Sequence, residues 1–292
     1  MSLVIKEIID IAETRLRKAG CTEARHDAEE LMRHILNYDR SRLFMNLATE
    51  LNEKNCEAYF DLVDLRASRK PLQYIIGSAE FMGVKIKVDE RVLIPRQETE
   101  TLVAVVLKYM SSLGTPFGGW RVLDIGVGSG AIAVSLCARN KDVRVVAGDI
   151  SEDALVLAKK NAALAGVTSK IRFINSDLFG NIDIQSGRRQ FHIIVSNPPY
   201  IKRRLIPLLQ KEISGFEPVV ALDGGYDGLD FYRAIAADAY KYLRKKGRLF
   251  LEIGYDQAEN VTEIFKTADF YEDMRIFKDL GGNDRVFTAT TP

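Results

Sequence analysis

From Trp120 onward, stretches patterned like buried strands alternate with stretches of helical periodicity. Strand patterns fall at 121–125, 143–148, 171–175 and 190–196, while helical ones start near 130 and span 152–164. Parallel strands need long crossovers, so this rhythm restricts the chain to an α/β fold: a doubly wound sheet with helices on both faces. The remainder adds a helix around 228–244, a strand at 247–253, a helix at 256–267 and strands near 274–278 and 284–289. The turn Leu280-Gly281-Gly282-Asn283-Asp284 joins the last two and predicts an antiparallel hairpin at the sheet edge. Lys245-Lys246-Gly247 reads as a solvated turn.

In open α/β sheets, ligands bind outside the carboxyl ends of the strands, so those ends carry the functional reading. Val122-Leu123-Asp124-Ile125-Gly126-Val127-Gly128-Ser129-Gly130 is a strand, three glycines and a helix start. The third glycine comes one residue early for G-x-G-x-x-G, and no Gly-Lys-Ser/Thr of a phosphate loop follows. Asp124, two residues before the first glycine, suits a ligand with a positive end. Asp149 ends the next strand and is placed to take two ribose hydroxyls. A third strand ends in Asn175-Ser176-Asp177-Leu178-Phe179, where Asp177 can accept from an exocyclic amine and Leu178 can cover a base. The strand Phe191-His192-Ile193-Ile194-Val195-Ser196 stops at Asn197-Pro198-Pro199-Tyr200, because neither proline can donate to a ladder. That turn displays an amide, bare backbone carbonyls and an aromatic ring.

The formal charge of +1 over 292 residues supplies no field for nucleic acid or an anionic membrane. The cysteines (Cys21, Cys56, Cys137) are odd in number and lack metal spacing, which points to a reducing cytoplasm. Neither a leader with an apolar core nor a membrane-length apolar run is visible. Helical spacing marks 3–19 and 26–38, with Ile5, Ile8, Ile9, Ile11 and Ala12, then Ala28, Leu31, Met32, Ile35 and Leu36 as core candidates. Gly20 can stop the first helix, and acids around Asp27 mark the start of the second. Segments 41–48 and 55–67 complete a helical bundle without catalytic equipment. His26 and His34 have no partners at ligand spacing, so no metal is expected. Past Pro71, alternation and glycines over 73–95 read as a hairpin connector, and Arg96-Gln97-Glu98-Thr99-Glu100 caps a helix to about Met110. Gly114 to Gly119 is a loop. The domains expected are 1–72 (helical), 73–100 (β-hairpin connector) and 101–292 (the sheet).

The three strand ends together resemble those of Rossmann-like S-adenosylmethionine-dependent methyltransferases. The resemblance implies that Gly126, Val127, Gly128, Ser129 and Gly130 accommodate the methionyl part, with Asp124 near its ammonium. It places Asp149 and Ile150 at the ribose, Asp177 and Leu178 at the adenine, and Asn197 facing the methyl. An (Asn/Asp)-Pro-Pro-(Tyr/Phe) turn beside this cofactor is the signature of methyltransferases acting on a planar, weakly basic nitrogen. Such a nitrogen gives its lone pair to a π system. The Asn197 side-chain oxygen and the Pro198 carbonyl can each accept one N–H, with Pro199 stiffening the turn and Tyr200 stacking on the planar group. The turn alone leaves adenine N6, guanine N2 and glutamine amide open.

Wider motifs narrow the choice. Pro71-Leu72-Gln73-Tyr74-Ile75-Ile76-Gly77, Phe81 with Gly83, Leu93-Ile94-Pro95-Arg96-x-Glu98-Thr99-Glu100, Glu217-Pro218, Ala221-Leu222-Asp223-Gly224-Gly225-x-Asp227-Gly228-Leu229 and Glu252-Ile253-Gly254 resemble the peptide chain release factor N5-glutamine methyltransferases (the HemK/PrmC family). The resemblance runs from about Pro71 to Arg285. It implies methyl transfer from S-adenosylmethionine to the glutamine of the Gly-Gly-Gln motif of bacterial class-1 release factors. Arg96 and Glu98 then fall on the substrate side, and the helical domain with the connector binds the release factor's body. No nucleic-acid or membrane partner is implied, and a monomer is expected. The competing readings are a ribosomal-protein glutamine methyltransferase, a nucleic-acid N-methyltransferase and a non-catalytic cofactor-binding module. Two positions depart from the family pattern. Gln97 replaces the usual proline and should loosen the turn before the helix, and His192 replaces a usual acid and is expected to affect only strand-edge packing.

Overall fold

The computed structural model describes residues 3–183 and 191–292, and the chain forms two compact units. One is the segment up to Ser78 together with Gln210–Phe216, and the other is Ala79–Leu209 with Glu217–Pro292. No helix among the described residues is long and apolar enough to cross a membrane.

The first unit is helical. Helices α1 (Ile5–Lys18), α2 (Ala24–Leu36) and α4 (Glu53–Ala67) pack on one another, with α3 (Arg40–Met45) and α5 (Leu72–Ile76) against α2. Ile5, Ile8, Ile9, Ala12 and Leu16 form one buried stripe on α1 at helical spacing. Ile11 belongs to the opposite side and is 46% exposed, a correction to the expected core. Asp27 lies in the first turn of α2, as expected of an acid near a helix start; it is buried and accepts from Arg66 Nε at 2.8 Å. Arg66 and Arg69 both reach Glu212, on the short helix α9 (Lys211–Phe216), at 2.9 and 2.5 Å. Burial alone would raise the Glu212 pKa, but the hydrogen bonds from Arg69 and Arg66 outweigh it and hold the carboxyl at about 2. His26 and His34 are exposed.

From Ala79 the second unit carries a two-stranded hairpin, β1 (Ser78–Phe81, its first residue still counted with the helical unit) and β2 (Val84–Lys87), inside the connector. The connector's first residues are the short helix α5 rather than strand, because the left-handed Gly77 caps a helical turn before the hairpin can begin. Then come α6 (Gln97–Leu113), β3 (Trp120–Ile125), α7 (Ala131–Arg139), β4 (Val143–Asp149), α8 (Glu152–Leu164), β5 (Ile171–Asn175) and β6 (Phe191–Ser196). Residue 190, expected at the start of the last strand, lies outside the described residues. After α9 follow α10 (Asp230–Tyr242), β7 (Leu243–Glu252), α11 (Ala258–Ala268), β8 (Glu272–Lys278) and β9 (Asp284–Thr290).

The seven-stranded sheet has the order β5-β4-β3-β6-β7-β9-β8. All neighbours from β5 to β7 pair in parallel, and β9 pairs antiparallel with both β7 and β8. The terminal hairpin thus sits at the sheet edge as expected, and its second strand is the inner one. Lys245-Lys246-Gly247 is a register shift inside β7 instead of a free turn, with Thr291 exchanging backbone bonds with Lys246 and Gly247. Helices α10 and α11 cover one face, burying Tyr232, Ile235, Val261 and Phe265 against Leu123, Ile194 and Leu251. Helices α6, α7 and α8 form the other layer. His192 packs edge-on to Trp120, and its Nδ1 accepts the Arg121 amide at 3.0 Å. Burial, together with Arg244 and Arg121, lowers its pKa to about 4, so the ring is neutral and structural.

Two expectations follow. Glu212→Ala should lower unfolding free energy by about 3 kcal/mol at pH 7, because it strands two arginines beside a buried carboxylate. The Glu212 pKa lies below its ordinary value in the folded state, so the stabilisation is complete above about pH 5 and fades as pH falls towards 2. Urea melts of wild type and variant should therefore converge over that window. Gln97 is the first residue of α6, and Arg96 before it is extended at φ −98°, ψ 149°. An extended residue followed by the first helical position is the setting that suits proline at 97. Gln97→Pro should raise stability by about 0.5–1 kcal/mol in the same melts.

Candidate active site

Strand register brings the site together. Ile125 pairs with Gly148 and with Ser196, Gly148 with Ile174, and Ser196 with Leu251. The next residues along each strand, Asn175, Asp149, Gly126, Asn197 and Glu252, therefore stand abreast at the carboxyl edge. A single cavity wall includes Val127, Ser129, Asp149, Ile150, Asp177 and Leu178 from the first three strand ends, and Asn197 and Pro199 from the fourth.

Gly126 and Gly128 have φ of 72° and 52°, and an added side chain at either would meet nothing within 4 Å. The loop is thus held in a left-handed conformation with open space above it, a cradle for a ligand. Asp149 fixes that cradle: Oδ2 accepts the Gly128 amide at 2.8 Å, and Oδ1 accepts the Ser151 amide at 2.9 Å. Burial raises its pKa while these amides oppose the rise. Across the cavity, Leu178 sits at φ 46°, and Ile150 is 56% exposed on the wall. Two apolar side chains presented to an open slot suit a flat, hydrophobic ligand face.

Asp124 stands off the wall. Strand alternation turns Ile125 to the cavity and Asp124 to the opposite face, towards the first turn of α7. It is wholly buried, and neither oxygen has a hydrogen-bond partner among the described residues. Burial pushes its pKa up to about 7, with the Ala133 amide opposing and Asp149 adding to the rise.

At the end of β6, Asn197 Nδ2 donates to Thr99 Oγ1 at 3.1 Å, which leaves its carbonyl oxygen for the cavity. Pro198 and Tyr200 are not on the wall. Tyr200 turns inward, its hydroxyl donating to Glu252 Oε1 at 3.2 Å. Behind the turn, Gln257 Nε2 donates to the carbonyls of Tyr200 (3.0 Å) and Gly228 (3.1 Å), and its Oε1 accepts the Gly254 amide at 3.0 Å. Gly224 backs onto the same turn so closely that a Cβ there would lie 2.8 Å from Tyr200 Cα. Only glycine permits that approach.

Arg96 lies on the wall, ion-paired to Glu217, which also accepts the Ile94 amide at 3.4 Å. Burial raises the Glu217 pKa while Arg96 opposes it. Glu98 is exposed and off the wall. Thr99, Glu217, Glu252 and Gln257 escaped selection as site residues, although all but Gln257 stand inside the motifs that carried the resemblance. The arrangement offers an amide oxygen fixed beside a ligand cradle, an acceptor suited to a substrate N–H.

Comparison with known proteins agrees with this geometry. Residues 7–77 match the PrmC N-terminal domain model, and 104–209 match the methyltransferase small domain model. A release factor glutamine methyltransferase of Clostridium acetobutylicum is 36% identical over 98% of both chains. A bifunctional methyltransferase of Rickettsia felis is 38% identical over 98% of this chain, which spans 58% of that relative's length. The N-terminal domain of human METTL16 shares the fold at TM-score 0.54 and 16% identity, covering 85% of this chain and 86% of that one. With the sheet, the cradle and near-complete coverage by such relatives in agreement, the chain belongs to the release factor glutamine methyltransferase family.

Proposed function

We propose that this protein transfers a methyl group from S-adenosylmethionine to the side-chain amide nitrogen (N5) of the glutamine in the Gly-Gly-Gln motif of bacterial class-1 release factors. The observation that carries the reading is Asn197, held by its amide nitrogen with its carbonyl oxygen free beside the glycine cradle. The cofactor supplies an electrophilic methyl on a sulfonium. The residues present fit it: the space above Gly126 and Gly128 takes the methionyl part, flanked by Val127 and Ser129, and Asp149 takes the ribose. Ile150 and Leu178 flank the adenine, and Asp177 accepts from its amine. Asp124 lies behind the loop, off the cavity wall, so it supports the cradle from below rather than touching the ammonium.

A primary amide is a poor nucleophile because its lone pair is delocalised. The Asn197 oxygen accepts one amide N–H, orienting the nitrogen and raising its electron density; Pro198 is buried behind the wall, and its carbonyl is the acceptor that the motif supplies for the other N–H. With the cofactor bound, the nitrogen would displace the sulfur in line, the N–C bond forming as the S–C bond breaks, and its extra proton would pass to solvent water. Tyr200 braces the turn from inside. Arg96, fixed by Glu217, faces the incoming loop, and the helical unit with the hairpin engages the release factor's body. On this reading the protein works in the cytoplasm, where translation terminates.

The test is mass spectrometry of purified release factor after incubation with the protein and S-adenosylmethionine, beside a Gly-Gly-Gln→Gly-Gly-Ala control. Gain of one methyl on that glutamine alone is expected, whereas methyl appearing only on ribosomal protein or RNA would overturn the substrate. Asn197→Ala should lower kcat about 100- to 1,000-fold. Its cofactor affinity by calorimetry should stay within about threefold. Asp149→Ala should instead weaken cofactor binding about 10- to 100-fold.

A further inference from the structure

The site depends on which end of the Asn197 amide faces the substrate, and the residues behind it settle that orientation. An asparagine carries a donor and an acceptor of nearly equal size, and turned the other way it would offer N–H to N–H. Thr99, on the first turn of α6, is 4% exposed, and Glu252, at the end of β7, is 1% exposed. Register sets Glu252 level with Asn197, because Ser196 pairs with Leu251. Tyr200 donates to Glu252 Oε1, while Oε2 has no partner among the described residues.

A hydroxyl has one proton and two lone pairs. Thr99 Oγ1 already accepts from Asn197, so its own proton must point elsewhere. Glu252, level with Asn197 in the register, can take that proton: burial raises its pKa and the neighbouring Thr99 hydroxyl opposes the rise. The result is a directional chain: Asn197 N–H to Thr99, Thr99 O–H to Glu252, with Tyr200 O–H on the same carboxylate. Each link has one polarity while Glu252 is ionised, since a carboxylate only accepts; burial lifts its pKa to about 7, so the polarity holds above that pH and is lost below it.

We infer that Thr99 is a positioning residue which, anchored on Glu252, fixes the Asn197 amide with its oxygen towards the substrate nitrogen. This rests on the proposed glutamine N-methylation for its kinetic readout, but not for its spectroscopic one. Gln257 and Gly224 hold the backbone of the turn, whereas this chain sets the side-chain polarity.

The experiment compares Thr99→Val, which keeps the shape and loses the hydroxyl, with Thr99→Ser, which keeps the hydroxyl, and with Glu252→Gln, which can reverse the chain. Thr99→Val and Glu252→Gln should lower kcat about 10- to 100-fold, with KM for release factor and cofactor affinity within about threefold. Thr99→Ser should stay within about threefold of wild type in kcat. Equal loss in Thr99→Ser and Thr99→Val, or a Thr99→Val kcat close to wild type, overturns the inference. In parallel, 15N-asparagine-labelled protein reports the Asn197 side-chain amide, assigned by its disappearance in Asn197→Ala. That NH2 signal should show slowed solvent exchange in wild type and Thr99→Ser and lose it in Thr99→Val; unchanged exchange in all three overturns the inference. Should the wild type leave release factor unmethylated, the proposed function falls while the amide signal still decides the orientation. A Thr99→Val protein too unstable to assay leaves Glu252→Gln and Thr99→Ser to decide: both near wild type overturns the inference, and loss in the first alone supports it.

Discussion

The lateral register of the parallel strands on either side of β3 is the constraint on which the site depends. Backbone hydrogen bonds set Ile174, Gly148, Ile125, Ser196 and Leu251 side by side across five strands, so the residue after each one lands on a common edge. A slip of one residue in any pair would send its side chains to the opposite face and remove it from that edge. The cradle, the carboxylate that holds it and the acceptor amide are thereby positioned by the stiffest part of the molecule. Loops contribute the lining, but the spacing between reacting groups belongs to the ladder.

Two carboxyls, Asp124 and Glu252, are buried beside that edge, each with at least one oxygen lacking a partner among the described residues. Burial lifts both pKa values to about 7. Buried polar atoms without partners oppose folding, and proteins tolerate them where something other than stability is served. Their places differ. Asp124 lies on the face of the sheet that carries α7, behind the cradle, whereas Glu252 stands level with the acceptor turn and touches it through Tyr200. Polar contacts reach the turn from the start of α6 and from Gln257 before α11, which also holds the Gly228 carbonyl of the loop before α10.

Much of this was legible in the chain because it is periodic or punctuated. The strand ends at Ile125, Asp149 and Asn175 follow directly from apolar runs that stop at glycine or acid, and helix 152–164 is bounded by Ser151, whose hydroxyl accepts the Ala154 amide. The two consecutive prolines gave the end of β6. What stayed hidden depends on contacts across long stretches of sequence. Asn197 meets Thr99 over 98 positions, and Gln257 meets the Tyr200 carbonyl over 57. No local pattern announces such a pair. The inward turn of Tyr200 was hidden for the same reason, since the ring's direction depends on where Glu252 falls. The exposed Ile11 shows the opposite failure: an apolar residue invites assignment to a core that helical geometry denies it.

The helical unit is discontinuous in the chain, and Gln210–Phe216 belongs to it although the sheet-bearing unit supplies the residues on both sides. The family model for the N-terminal domain spans 7–77 and so omits the stretch that carries Glu212. A module that looks portable in a linear map is therefore not a free-standing cassette. Cutting at Ser78 would remove the only carboxylate shown accepting from both Arg66 and Arg69 and leave the pair next to Asp27 half-neutralised. Recombination between relatives that exchanged the front of the chain alone would split a charge cluster whose members must be inherited together. The short helix α9 is thus bound into the helical unit by Glu212, although its chain neighbours on both sides belong to the other unit.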